Sequence, residues 1–185
     1  MKKAERISAG VRRRAKKIRV LLMDVDGTLT NGDVCLLSMP DGSAEELKIF
    51  NAHDGAGLVL AHIMGLKTGL ITGRKSAAME RRARDMKLDY VFQGQPKKMA
   101  AYEEILREAG ATDDEVAYVG DDLPDLPLLA RAGLAVAVGN AVGEVKGAAH
   151  YVTSRDGGNG ALREVVELIL KAQRRWKQAI PKALA

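Results

Sequence analysis

The chain has 185 residues, 46% of them hydrophobic, 29% charged and 4% aromatic, with a formal net charge of +5. That length and apolar content predict a single domain with its own core, excluding both intrinsic disorder and a mini-protein that needs staples. The charge is uneven: residues 1–19 hold nine Lys/Arg against Glu5, a balance of +8 that leaves −3 on the remainder. Residues 1–17 therefore read as a basic N-terminal helical arm, expected to dock beside the first strand. The arm has no aromatic residues to stack on bases, so nucleic acid is not the expected partner. Residues 1–6 are basic and lack the apolar core of a secretory signal. A single Cys35 fits a reducing compartment, and no apolar run approaches a membrane span. A cytoplasmic protein without a membrane partner is the expectation.

Beyond the arm, short apolar runs at 18–23, 66–71, 90–92, 116–119 and 134–138 alternate with helical patterns at 54–64, 75–87, 96–109, 122–131 and 160–178. This alternation predicts an α/β fold, a Rossmann-like doubly wound parallel sheet over 18–170 with a tail at 171–185. Only 33–50 breaks the rhythm, as a β-hairpin turning at Pro40-Asp41-Gly42 and inserted after the first strand. Its edges and apolar side chains need cover. In such a sheet, ligands collect beyond the carboxyl ends of the strands. Asp24, Thr72, Lys98 and Asp121 each follow an apolar run or open the next helix, so the fold should gather them on one rim.

Asp24-Val25-Asp26-Gly27-Thr28 carries the strongest chemical signal. A carboxylate can attack phosphorus and form an aspartyl-phosphate, while a second protonates the leaving oxygen and then activates water. Crowded acids meeting a phosphate need a hard cation, for which Mg²⁺ is suited. A calcium loop is excluded because its twelfth position is Cys35 instead of Glu. Gly120-Asp121-Asp122-Leu123-Pro124-Asp125 adds acids at a later strand end, with Asp121 the natural ligand and Asp122 and Asp125 acting through water or by positioning Lys98. Thr72-Gly73-Arg74 suits a phosphate or carboxylate, and Lys98 can neutralise a transferring phosphoryl group.

In this order the motifs resemble the haloacid dehalogenase-type phosphotransferases over roughly 18–170. The resemblance implies Asp24 as nucleophile, Asp26 as general acid/base, and Thr72 and Lys98 holding the phosphoryl group. Asp24, the Asp26 carbonyl and Asp121 would bind Mg²⁺, and Thr28 is typical of the phosphatases. Only 48 residues separate Asp24 from Thr72 and 26 separate Thr72 from Lys98, so no cap domain fits. The hairpin and the segments 50–55, 71–75, 92–94 and 157–164 resemble the capless subfamily of 3-deoxy-D-manno-octulosonate 8-phosphate phosphatases of lipopolysaccharide biosynthesis. That likeness implies a small sugar phosphate as substrate and a homotetramer joined through hairpins, with neighbours covering each site. It makes Asn51, His53, Asp54, Gly55, Gly73, Arg74 and Arg82 the substrate-binding set. His53 and Val59 stand where these enzymes usually carry arginines. Arg74 stands where the sister phosphatases of nine-carbon sugar acids usually carry glutamate, which favours the eight-carbon substrate over that alternative. A phospho-accepting signalling module would place its acidic pair before the acceptor strand, unlike this chain.

Overall fold

In the computed structural model, which describes residues 7–182, the chain runs α1 (Ala9–Ala15), β1 (Val20–Met23), β2 (Cys35–Ser38), β3 (Ala44–Leu47) and α2 (Ala52–Ile63). There follow β4 (Lys67–Ile71), α3 (Ala77–Asp85), β5 (Tyr90–Phe92), α4 (Met99–Ala109) and β6 (Val116–Gly120). Then come α5 (Leu126–Arg131), β7 (Leu134–Ala137), α6 (Gly143–Ala148), β8 (Tyr151–Val152), α7 (Ala161–Ala172) and α8 (Trp176–Lys182).

Six parallel strands form one sheet in the order β5-β4-β1-β6-β7-β8. All of β1, β6 and β7 is buried, because helices cover both faces. From β1 the chain moves outward to β4 and β5, then returns past β1 to build β6, β7 and β8. Right-handed crossovers put α2 and α3 on one face and α4, α5 and α6 on the other. The strand order reverses at β1, so the rim beside Asp24 is the topological switch point.

The hairpin β2–β3 forms as expected and stands outside the main sheet. Its turn is closed by Met39 N–H to Ser43 O at 2.9 Å, and Asp41 Oδ1 accepts from the Ser43 amide and hydroxyl.

Three readings need correction. The expected single helix over 160–178 divides into α7 and α8, because Arg174 adopts a φ of 60° and the turn is tied down by Gln173 Nε2 donating to Ile18 O at 2.7 Å. The helix expected over 122–131 opens as a 3₁₀ turn at Leu123–Asp125 before α5 begins. The basic arm's helix packs on α7 and β7 instead of beside β1, with Arg14 Nη1 donating to Gly133 O at 2.8 Å. The rest of the arm at 1–6 and the tail at 183–185 lie outside the described residues.

Candidate active site

β1 ends at Met23, and the next residue, Asp24, still extends the ladder, donating from its amide to Val119 O at 3.0 Å. Its carboxylate therefore emerges at the carboxyl edge, nearly buried. Lys98, just before α4, donates to Asp24 Oδ1 at 2.5 Å and to Asp125 Oδ1 at 2.7 Å. Tyr118 from β6 also donates to Asp125 Oδ1, at 2.8 Å. The other oxygen of Asp125 accepts from the amides of Asp121 and Asp122. Asp125 thus positions Lys98 and shapes the loop. Asp122 is exposed and caps the 3₁₀ turn through Leu123 N–H, so its part is local.

Thr28 Oγ1 donates to Asp121 Oδ1 at 2.8 Å, joining the first acidic loop to the second. The loop between Asp24 and Thr28 turns at Gly27, whose φ is +95° and where a Cβ would lie 2.1 Å from Asp121 Oδ2. Beneath it runs the glycine-rich segment: the Gly158 amide donates to Thr28 O at 3.0 Å, and a Cβ on Gly157 would strike Gly27 O at 1.8 Å. Only bare backbone can approach this closely. Thr72 is buried just after β4, on the strand beside β1, and its hydroxyl accepts from the Arg74 amide.

The electrostatics are those of a site short of positive charge. Burial, followed by the nearby Asp125 and Asp121, pushes Asp24 up to about 7 despite Lys98. Burial likewise pushes Asp121 up to about 6 against the Thr28 hydrogen bond. For Lys98, burial acts downward, but the facing Asp24 and Asp125 outweigh it and hold the ammonium charged. Oxygens of Asp24, Asp121 and Asp125 lie within 4.8 Å of one another. Three carboxylates against one ammonium leave two negative charges in excess, which suits a divalent cation with hard oxygen ligands. The residues present fit Mg²⁺.

The rim expected to bind substrate is more mixed. Arg74 reaches back to Glu46 of β3, and its Nε lies 4.0 Å from Asp26 Oδ2. Gly73 and His53 are exposed, and Asn51 caps α2 through the His53 amide at 2.8 Å. Arg82 stacks over Phe50 at 5.9 Å, and its buried Nε has no hydrogen-bond partner. Gly55 makes room for that guanidinium, since a Cβ there would lie 2.2 Å from Arg82 Nη2. Asp54 departs from the expectation. It is fully buried and accepts from the amides of Gly160 and Arg163, both at 2.9 Å, so its carboxylate caps α7 and does not face the rim.

Residues 82–164 match the model of the haloacid dehalogenase-like hydrolase family. The chain is 41% identical over 167 residues to the 3-deoxy-D-manno-octulosonate 8-phosphate phosphatase KdsC of Yersinia pestis, covering 90% of this chain and 87% of that protein. It is 39% identical to KdsC of Escherichia coli K12, over 94% of this chain and 90% of that one. The chain belongs to the haloacid dehalogenase-like phosphatases, in the KdsC family. Among solved structures, the 3-deoxy-D-manno-octulosonate 8-phosphate phosphatase of Moraxella catarrhalis, in complex with a magnesium ion, a phosphate ion and a KDO molecule, superposes with a TM-score of 0.86. That pair is 38% identical over 93% of this chain and 97% of the other.

As a member of this family, the chain is a phosphoric monoester hydrolase with a Rossmann-like sheet. Three residues around the acidic cluster escaped the sequence reading. Lys48 donates to Asp26 Oδ1, and Glu46 pairs with both Lys48 and Arg74. The signal was present in the alternation of Glu46-Leu47-Lys48-Ile49-Phe50, which puts every second side chain of the returning strand on one face. Tyr118, read only as part of an apolar run, holds Asp125.

Proposed function

We propose that this phosphatase hydrolyses 3-deoxy-D-manno-octulosonate 8-phosphate to the free sugar acid and phosphate, using Mg²⁺. The observation that carries the reading is the cluster of Asp24, Lys98, Asp121 and Asp125 at the switch point of a sheet closely similar to that of a magnesium, phosphate and KDO complex. Asp24 attacks phosphorus, forming an aspartyl-phosphate as the bond to the sugar oxygen breaks. Asp26 gives that oxygen its proton, then takes one from the water that hydrolyses the acyl phosphate. Lys98 and Thr72 hold the phosphoryl oxygens. Asp24, the Asp26 carbonyl and Asp121 would hold Mg²⁺, which when bound neutralises charge gathering on the phosphoryl group. Arg74 and Arg82, with Asn51, His53, Gly55 and Gly73 around them, form the rim that meets the sugar acid, whose carboxylate suits a guanidinium.

The hairpin supports assembly into a homotetramer. Val34, Leu36, Leu37, Leu47 and Ile49 are all exposed on it, Ile49 to 70% and Leu36 to 60%. Such a patch on an exposed hairpin calls for a covering partner, and a second copy supplies a complementary one. Leu36→Asp with Ile49→Asp is expected to give a smaller species in sedimentation. A wild-type monomer at micromolar concentration would end the tetramer reading. The cytoplasm is the compartment we assign, as an early step of lipopolysaccharide assembly; among the described residues no helix is long and apolar enough to cross a membrane.

The deciding experiment is phosphate release from a panel of sugar-acid phosphates with Mg²⁺, using Asp24→Asn as the blank. Selective turnover of the octulosonate ester supports the reading. Preference for a nine-carbon sugar acid phosphate would move the substrate, and equal release by the Asn variant would remove the mechanism.

A further inference from the structure

The segment returning from the hairpin, β3 and the three residues after it, has two faces. Glu45, Leu47 and Ile49 are exposed, whereas Glu46, Lys48 and Phe50 are drawn inward. The Lys48 side chain is only 5% exposed, although it carries a full charge. Such a cation stays in a folded protein only where acids meet it. Its ammonium donates to Asp26 Oδ1 and stands 3.4 Å from Glu46 Oε1. Glu46 accepts from Arg74, whose Nε is 4.0 Å from Asp26 Oδ2. The four side chains close a ring in which the signs alternate: Lys48, Asp26, Arg74, Glu46. Among the described residues, Lys48 and Arg74 are the side chains that engage the Asp26 carboxylate.

We propose that Lys48 is a positioning residue for the acid/base step. This rests on the proposal that Asp26 performs that step. Lys48 holds Oδ1 and so fixes the rotamer of Asp26, leaving Oδ2 as the oxygen that carries the proton to the sugar oxygen. Glu46 keeps Arg74 on the rim, so that the guanidinium does not draw Oδ2 away. Lys48 itself exchanges no proton. The phosphorus–oxygen bond to the sugar breaks as the bond to Asp24 forms, and the proton passes from Asp26 to the leaving oxygen. An alkoxide needs that proton, whereas a p-nitrophenolate leaves without it.

The test compares wild type, Lys48→Met and Lys48→Arg in the full chain with Mg²⁺. Turnover of the sugar-acid phosphate is set against the first-turnover release of p-nitrophenolate from p-nitrophenyl phosphate. Loss of oriented general-acid catalysis predicts a fall of about 10²-fold in kcat on the sugar ester for Lys48→Met. KM and the first-turnover burst should stay within about threefold, and Lys48→Arg should recover at least about a tenth of the wild-type rate. Equal losses on both esters, a rise in KM at unchanged kcat, or full activity of Lys48→Met would each overturn the proposal. If Lys48→Met does not fold, the ratio of losses on the two esters for Lys48→Arg decides instead. A wild type that cleaves neither ester overturns the functional reading, and this one with it. A wild type that cleaves both, with an inactive Asp24→Asn, isolates a failure to Lys48 alone.

Discussion

At Gly27 the backbone takes a φ of +95°, and the space a Cβ would fill already holds Asp121 Oδ2 at 2.1 Å. Gly27→Ala therefore adds left-handed strain to a collision with the Asp121 carboxylate, for a cost of about 1–3 kcal/mol and a larger loss of activity. Thermal unfolding and kcat on the same variant check both effects. Proton linkage at the neighbouring acids has a defined sign. Asp24 at about 7 and Asp121 at about 6 both lie above the ordinary carboxylate value of 3.8. A carboxyl raised in the folded state adds stability that is complete below the ordinary value and is lost as pH climbs through the raised one. Without metal, these two groups make the protein less stable at pH 8 than at pH 5. Mg²⁺ must displace their protons below about pH 6–7, so its affinity should rise across that window and then level off. Calorimetric titration of Mg²⁺ at pH 5.5 and 8 measures this; equal affinities would contradict it.

At the scale of elements, α7 and α2 are joined through one buried carboxylate. Asp54, on the first turn of α2, accepts from the Gly160 and Arg163 amides and so satisfies orphan donors at the start of α7. The same glycine-rich turn runs beneath Gly27 and Thr28. Burial holds Asp54 above its usual value even against those hydrogen bonds. Asp54→Ala should cost about 1–3 kcal/mol, because buried amides lose their acceptor. Activity should fall as well, since the turn supporting the Asp24–Thr28 loop is loosened. Chemical denaturation and kcat together check it, and a stable variant with normal kcat would argue against the coupling. The hairpin segment is the other element with a double role, carrying exposed apolar residues together with the charges, Lys48 and Glu46, that reach Asp26 and Arg74.

Across the whole molecule, the site is assembled from residues far apart in sequence because the strand order reverses at β1. Asp24, Thr72, Lys98 and Asp121 each leave the carboxyl edge of a different strand or open the helix beyond it, and a parallel sheet aligns those edges. The precision of that alignment depends on the core beneath. Leu22 is fully buried in β1, two residues before Asp24. Leu22→Ala should cost about 2–5 kcal/mol through lost burial and a residual cavity, read as a lowered unfolding midpoint in urea.

The sequence by itself determined the sheet, the hairpin and the rim on which Asp24, Lys98 and Asp121 meet, because these follow from local rules. Continuous apolar runs between helical patterns specify buried parallel strands, Pro40-Asp41-Gly42 specifies a turn, and acids at strand ends specify a rim. Where side chains point across elements was decided only by tertiary packing. Asp54 entered the expected substrate-binding set through the family likeness, but the helix period turned it inward onto α7. Nothing in the local sequence marks Lys48 as a partner of Asp26, against which the chain leaving β3 buries it. Helix 160–178 was broken by a turn whose hydrogen bonds go to Met64 and Ile18, over a hundred residues away. Spacing along a chain records local geometry; which charge meets which is fixed only when distant elements close around a common core.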